Sequence, residues 1–135
     1  MFRVESDSIG KKEVPINAYY GVQTLRAHEN FNLSGRKSRI EMVKSAVELK
    51  KASAKVNFEA GVLEENVYLA ISKACDDILT GNYDDNFIVD ALQGGAGTSF
   101  NMNVNEVISN RAIEILGGNK GDYSIVHPND HVNLA

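Results

Sequence analysis

Cysteine, proline and long apolar runs are scarce or missing in this chain of 135 residues. The single cysteine, Cys75, has no partner for an internal disulfide and no second thiolate for a metal cluster, so a reducing compartment, the cytoplasm, is the expected setting. No stretch of about 18 apolar residues occurs, and no charged segment with an apolar core follows Met1, so neither membrane spanning nor export is expected. Basic residues are not in excess. Fourteen Lys and Arg stand against 18 Asp and Glu, a net charge of −4 with both signs interspersed, which argues against nucleic acid or an anionic membrane as partner. Only two prolines interrupt the chain, and there is no internal repeat or low-complexity tract. The length suits one domain with one hydrophobic core, able to bury about two-thirds of the surface of its unfolded form.

The periodicities that are present are mostly helical. The start, FRVESDSIGKKEVP, is compatible with a short β-hairpin turning at Ile9-Gly10-Lys11-Lys12. Residues 19–31, YYGVQTLRAHENF, predict a short helix with Val22, Leu25 and Glu29 or Phe31 on its inner side, stopped by Gly35. Ser38 and Glu41 have the spacing of a capping box, in which each side chain satisfies a backbone N–H near the other. A helix carrying Ile40, Val43, Val47, Ala54 and Phe58 is predicted from there to Gly61. A second stripe, Val67, Ile71, Ala74, Ile78 and Leu79, ends at Gly81, so the two helices are expected to lie antiparallel. Cys75 falls within that stripe and reads as a small buried hydrophobe. A third stripe, Val104, Ile108, Ala112, Ile115 and Leu116, closes at Gly117-Gly118. The fold class is mainly α, a small helical bundle.

Two stretches carry chemistry. In QGGAGTSFN, residues 93–101, Gly94, Gly95 and Gly97 allow positive φ and close backbone approach immediately before a helix. Thr98, Ser99 or Asn101 can cap that helix, or the exposed N–H groups and hydroxyls can hold a carboxylate or phosphate. No Walker lysine and no complete G-x-G-x-x-G is present, so nucleotide binding has little support. In VHPNDHVN, residues 126–133, His127 and His131 are four apart, but the glutamate of H-E-x-x-H is missing and Pro128 makes a helix starting at His127 awkward. A polar turn binding its own backbone, or a ligand or proton-handling role, are the alternatives there. No residue is assigned to a metal.

In combination, ESDSIGKKEVP, YYGVQTLRAHENF, QGGAGTSFNMNVNEVISNRAIEILGG and KGDYSIVHPNDHVN resemble the amino-terminal region of the aspartase/fumarase superfamily, in order and over nearly the whole chain. Within it, YYGVQTLRA and QGGAGTS are similar to the ammonia-lyase branch that acts on aspartate, whereas fumarases more often read Y-W-G-A-Q-T and T-G-S-G-T-Q-S. The resemblance implies that residues 1–135 are the amino-terminal domain of a longer lyase. It implies reversible anti-elimination of L-aspartate to fumarate and ammonia, a dicarboxylate substrate, no organic cofactor and a homotetramer. Thr98 would bind a substrate carboxylate, with Gly97 and Ser99 shaping the loop and Asn101 supporting it. His127, Asn129 and Asp130 would form a secondary anion site near the active-site entrance. The family's Q-S-T-N-D loop, its central bundle with a Thr-His pair and its G-S-S-x-M-P-x-K-x-N loop with the serine base have no counterpart here. No catalytic base is therefore expected in this chain, which alone is expected to be inactive. A fumarate hydratase, or a noncatalytic dicarboxylate-binding domain, are the competing readings.

Overall fold

In the computed structural model, which describes residues 1–134, β1 (Phe2–Ser6) and β2 (Lys11–Pro15) pair as an antiparallel hairpin, with Phe2 opposite Pro15 and Arg3 opposite Val14. Its alternation is inverted on β1. Phe2 and Val4 face solvent while Glu5 is buried, as is Val14 of β2. Polar bonds explain this: the Arg3 guanidinium donates to the carbonyls of Pro15 (2.9 Å), Ala18 (2.8 Å) and Tyr20 (2.9 Å) and to Glu5 (2.8 Å), tying the hairpin to the link that follows it. The turn spans Asp7–Gly10 rather than Ile9–Lys12. Asp7 Oδ1 accepts from the N–H groups of Ile9 and Gly10, and Gly10 takes a φ of 141°, so β2 already begins at Lys11.

Helix α1 (Val22–Asn30) begins three residues later than predicted, because Gly21 is its cap and Tyr19 and Tyr20 belong to the irregular link. Its inner side is Val22, Thr24 and Ala27. Leu25 is half-buried, Glu29 is exposed in an ion pair with Lys12 (2.7 Å), and Phe31 lies just past the helix. Helices α2 (Ile40–Glu59) and α3 (Glu65–Leu79) occupy the predicted segments and end before left-handed Gly61 and Gly81. They run antiparallel, as shown by the Lys51–Asp76 ion pair and the stacked rings of Phe58 and Tyr68, 4.8 Å apart. The capping box does not form: Arg39 holds the cap position without a side-chain bond, and Ser38 falls one residue outside it.

Helix α4 (Thr98–Ile115) is the axis of the domain, with every residue from Met102 to Asn110 buried. Of the predicted stripe, Val104, Ile108 and Ala112 are fully buried, Ile115 is half-buried and Leu116 is exposed beyond the helix end. Val107 and Ile113 join the core instead, alongside Val43, Val47, Ile71 and Cys75. Each isoleucine removed from water in this way contributes about 2 kcal/mol. Cys75 is fully buried and its thiol pKa is pushed up to about 12 by burial, as suits a small core hydrophobe. Among the described residues, no helix is long and apolar enough to cross a membrane. The architecture is mainly α with a small N-terminal hairpin, as predicted.

A helix buried on all sides must satisfy its polar residues internally. Asn103 accepts from the Val89 N–H and donates to the Asn86 carbonyl. Asn110 donates to the Tyr19 carbonyl (2.7 Å) and accepts from the Gly121 N–H (2.7 Å). Ser109 donates to the Val126 carbonyl. Glu106 accepts from Gly21, Gln23 (3.0 Å) and Thr24, while Glu5 accepts from Val22 (2.9 Å) and from the Tyr123 hydroxyl (2.9 Å). The first turn of α1 is thus capped by two carboxylates from outside the helix. Gly21 makes this close approach possible, since a Cβ there would lie 2.2 Å from the Tyr123 hydroxyl, 2.6 Å from Glu106 and 2.8 Å from Glu5. Gly21→Ala is expected to cost about 3 kcal/mol, read as a lowered thermal unfolding midpoint by circular dichroism. An unchanged midpoint would show that the cap tolerates a side chain.

Candidate functional site

The glycine-rich loop delivers the chain to α4 through two left-handed glycines, Gly95 (φ 74°) and Gly97 (φ 87°), the second of which is the cap residue. No side chain caps in the expected way: Thr98, Ser99 and Asn101 make no cap bond. Gln93 does the work from outside, its Oε1 accepting the Phe100 N–H at 2.8 Å. Asn101 starts the intrahelical ladder, its N–H donating to the Gly97 carbonyl, and its side chain donates to Asn133 Oδ1 (3.2 Å), which also accepts from Lys50 (2.6 Å). Thr98 is exposed, while Ser99 and Gly97 are half-buried. The N–H groups of Gly97, Thr98 and Ser99, and both hydroxyls, make no hydrogen bond among the described residues.

The second stretch folds as a π-helical turn over Pro128–Val132. Pro128 sits at its first position, where a missing N–H costs nothing, so the predicted conflict with a helix is avoided by starting one residue after His127. His127 Nδ1 accepts from the N–H groups of Asn129 (3.1 Å) and Asp130 (3.2 Å), and His131 Nδ1 accepts from the His127 N–H (2.8 Å). Both Nδ1 atoms are committed to backbone, which is the polar turn weighed from the sequence. With His127 Nδ1 accepting, Nε2 is the ring nitrogen left to donate.

A cavity of about 530 Å³ brings part of the two stretches together, with Ser99, His127 and Asn129 on its wall beside Arg26, Tyr123 and Glu106. Gly97, Thr98, Asn101 and Asp130 do not line it. Arg26 is already held by Asp7 (2.9 and 3.1 Å) and by the Gly10 carbonyl. Glu106 has its carboxyl pKa pushed up to about 7, first by burial and then by the charge of neighbouring Glu5, against the pull of the N–H groups it accepts. Burial also raises the pKa of the Tyr123 phenol well above its ordinary value. The roles of Glu5 and Glu106 were not foreseen. Glu106 falls off the apolar stripe, where spacing assigns a solvated charge, and its partners lie 82 to 85 residues away.

Fold and loop together define a mainly helical domain whose central helix opens on unpaired hydrogen-bond donors. The family model described as Lyase matches residues 10–135, and the chain belongs to that family, within the aspartase/fumarase superfamily. It is 52% identical over 133 residues to an aspartate ammonia-lyase of a Bacillus species, covering 98% of this chain and 28% of that protein. It is 50% identical over 133 residues to a class II fumarate hydratase of Wigglesworthia glossinidia brevipalpis, covering 98% of this chain and 29% of the relative. A crystal structure of fumarate lyase:delta crystallin from Brucella melitensis superposes with a TM-score of 0.96 at 51% identity, covering 99% of this chain and 32% of that one. The chain thus spans less than a third of the length of the proteins it matches.

Glu106 makes stability depend on pH in a stated direction. Below about pH 4.5 it is protonated in folded and unfolded chains alike, whereas between there and about 7 only the folded chain keeps the proton. Unfolding free energy is therefore expected to fall as pH rises through that window, on the order of 3 kcal/mol in all. Asp7, Asp77 and Asp90 have lowered pKa values and act at more acid pH. Urea unfolding at a series of pH values checks this, and Glu106→Gln is expected to flatten the slope.

Proposed function

We propose that the chain is the amino-terminal domain of an aspartate ammonia-lyase, whose full-length form converts L-aspartate reversibly to fumarate and ammonia. The observation that carries the reading is the start of α4, where three N–H groups and two hydroxyls find no partner among the described residues around a glycine-rich turn. Removing a proton from the carbon beside a carboxylate builds a dianionic aci-carboxylate, and fixed donors aimed at that charge lower the barrier most. In this reading Thr98 binds the substrate carboxylate, Gly97 and Ser99 shape the loop, and Asn101 is braced through Asn133. His127, Asn129 and Asp130 serve as a secondary anion site, with the His127 Nε2–H and the cavity beside it as supporting features. The general base and the remaining substrate contacts come from outside these residues, in a homotetramer located in the cytoplasm.

A specific observation favours a second reading, hydration of fumarate to malate: the class II fumarate hydratase is nearly as similar over an equal share of the chain. Ultraviolet detection of fumarate from L-aspartate and L-malate in parallel, with the full-length protein, separates the two. Turnover of aspartate alone is expected, with Thr98→Ala lowering kcat/KM about a hundredfold. Turnover of malate alone would assign the hydratase, and turnover of neither would leave a dicarboxylate-binding domain. The isolated 135-residue chain is expected to produce no fumarate.

A further inference from the structure

The loop that offers these donors is built from flexible residues, yet it is held at both ends. Its entrance is fixed by Asp90, only 5% exposed, whose carboxylate accepts from the Ser34 hydroxyl (2.6 Å) and from the N–H groups of Ser34 (2.9 Å), Gly35 (3.0 Å) and Leu92 (2.8 Å). Those bonds, the Ser34 hydroxyl first among them, hold its carboxyl pKa down at about 2, so the anchor stays charged at neutral pH. Gly94 is pressed on the Phe31 ring, where a Cβ would lie 3.0 Å from Cζ. The exit is fixed by Gln93, which reaches across the loop. Its Oε1 accepts the Phe100 N–H at 2.8 Å, and its Nε2 donates to the Asp90 carbonyl at 3.3 Å.

The first intrahelical bond of α4 runs from the Asn101 N–H to the Gly97 carbonyl, so the N–H groups of Gly97, Thr98, Ser99 and Phe100 have no acceptor within the helix. Gln93 removes the last of the four from availability. We propose that Gln93 is a positioning and selectivity residue for the substrate carboxylate, fixing the loop against Asp90 and confining the cradle to the donors of Gly97, Thr98 and Ser99. The proposal rests on the reading of this loop as the carboxylate site. Its chemical content is a choice between anions. A planar carboxylate presents two oxygens, which the Thr98 and Ser99 N–H groups and hydroxyls can saturate. A tetrahedral anion presents further oxygens and gains from every additional N–H at a helix start, including the one that Gln93 has taken.

The test uses the full-length protein with succinate and inorganic phosphate as competing probes. Gln93→Met keeps the length of the side chain but neither accepts strongly nor donates. Its inhibition constant for succinate is expected to rise about tenfold while that for phosphate rises less or falls, a change in selectivity that the small drop in thermal midpoint from a lost cap bond does not produce. Equal weakening of both anions with a lowered midpoint would reduce Gln93 to a structural residue and overturn the proposal, as would no change in either. Thr98→Ala is measured beside it: if that variant binds succinate normally, the carboxylate reading of the loop itself fails. If Thr98→Ala is impaired and Gln93→Met is not, only the assignment of Gln93 fails. A measurement on the unaltered full-length protein covers the case of a variant that does not fold. Hydrogen exchange resolved to single amides is expected to show Phe100 protected without ligand, with Thr98 and Ser99 protected only when succinate is added. Exchange at Phe100 as fast as at Thr98 and Ser99 would overturn the proposal.

Discussion

Two buried carboxylates, Glu5 from β1 and Glu106 from α4, take the first N–H groups of α1 around a glycine that leaves room for both. This junction joins the hairpin, the first helix and the central helix at one point, and Tyr123 closes it from the far end of the chain. Removing either acceptor would strand buried N–H groups, each costing more than the bond itself gives. Two like charges so close repel, and after burial this is the second cause that pushes the Glu106 carboxyl up to about 7. The position of α1, and with it the cavity wall formed by Val22, Gln23 and Arg26, follows from that cap.

Helix α4 serves two ends of the domain differently. Its middle is wrapped by α1, α2, α3 and the π-helical turn, and Asn103, Ser109 and Asn110 act as fasteners to the chain around it. Its first turn is left open. A rigid shaft with an open end is what a donor array needs, because donors that need not reorganise when charge appears stabilise it most. The glycines allow the approach, and the flanking polar anchors supply the rigidity that glycine lacks.

The sequence disclosed elements better than it disclosed junctions. Stripes of period 3.6 in α2 and α3, with glycines at their ends, are local signals, and they survive because burial of one face decides the helix. The serine and glutamate spacing before α2 misled, because the preceding chain is held by Asp90 through Ser34 and Gly35, and the Arg36 carbonyl accepts from Ala91; this places the cap at Arg39. The hairpin turn moved because one aspartate, Asp7, folded the chain earlier than the glycine-lysine pattern suggested. In the candidate site, the need for glycine and the self-bonding of His127 were legible from local chemistry. The carboxylate junction was not, since its partners are separated by most of the chain and a buried glutamate looks like an exposed one until its partners are known.

The inverted hairpin has a thermal consequence. A strand that turns Arg3 and Glu5 inward and Phe2 and Val4 outward is attached largely through ionic and carbonyl bonds, with a small apolar patch of Val14, Ala18 and Val22, flanked by Tyr20 and Leu25, beneath it. Exposing polar surface lowers heat capacity while exposing apolar surface raises it, so releasing the hairpin changes heat capacity less, for its area, than opening the helical core. On cooling, the attraction that holds α2, α3 and α4 together weakens first, and the hairpin is the part of the molecule whose grip is least sensitive to cold.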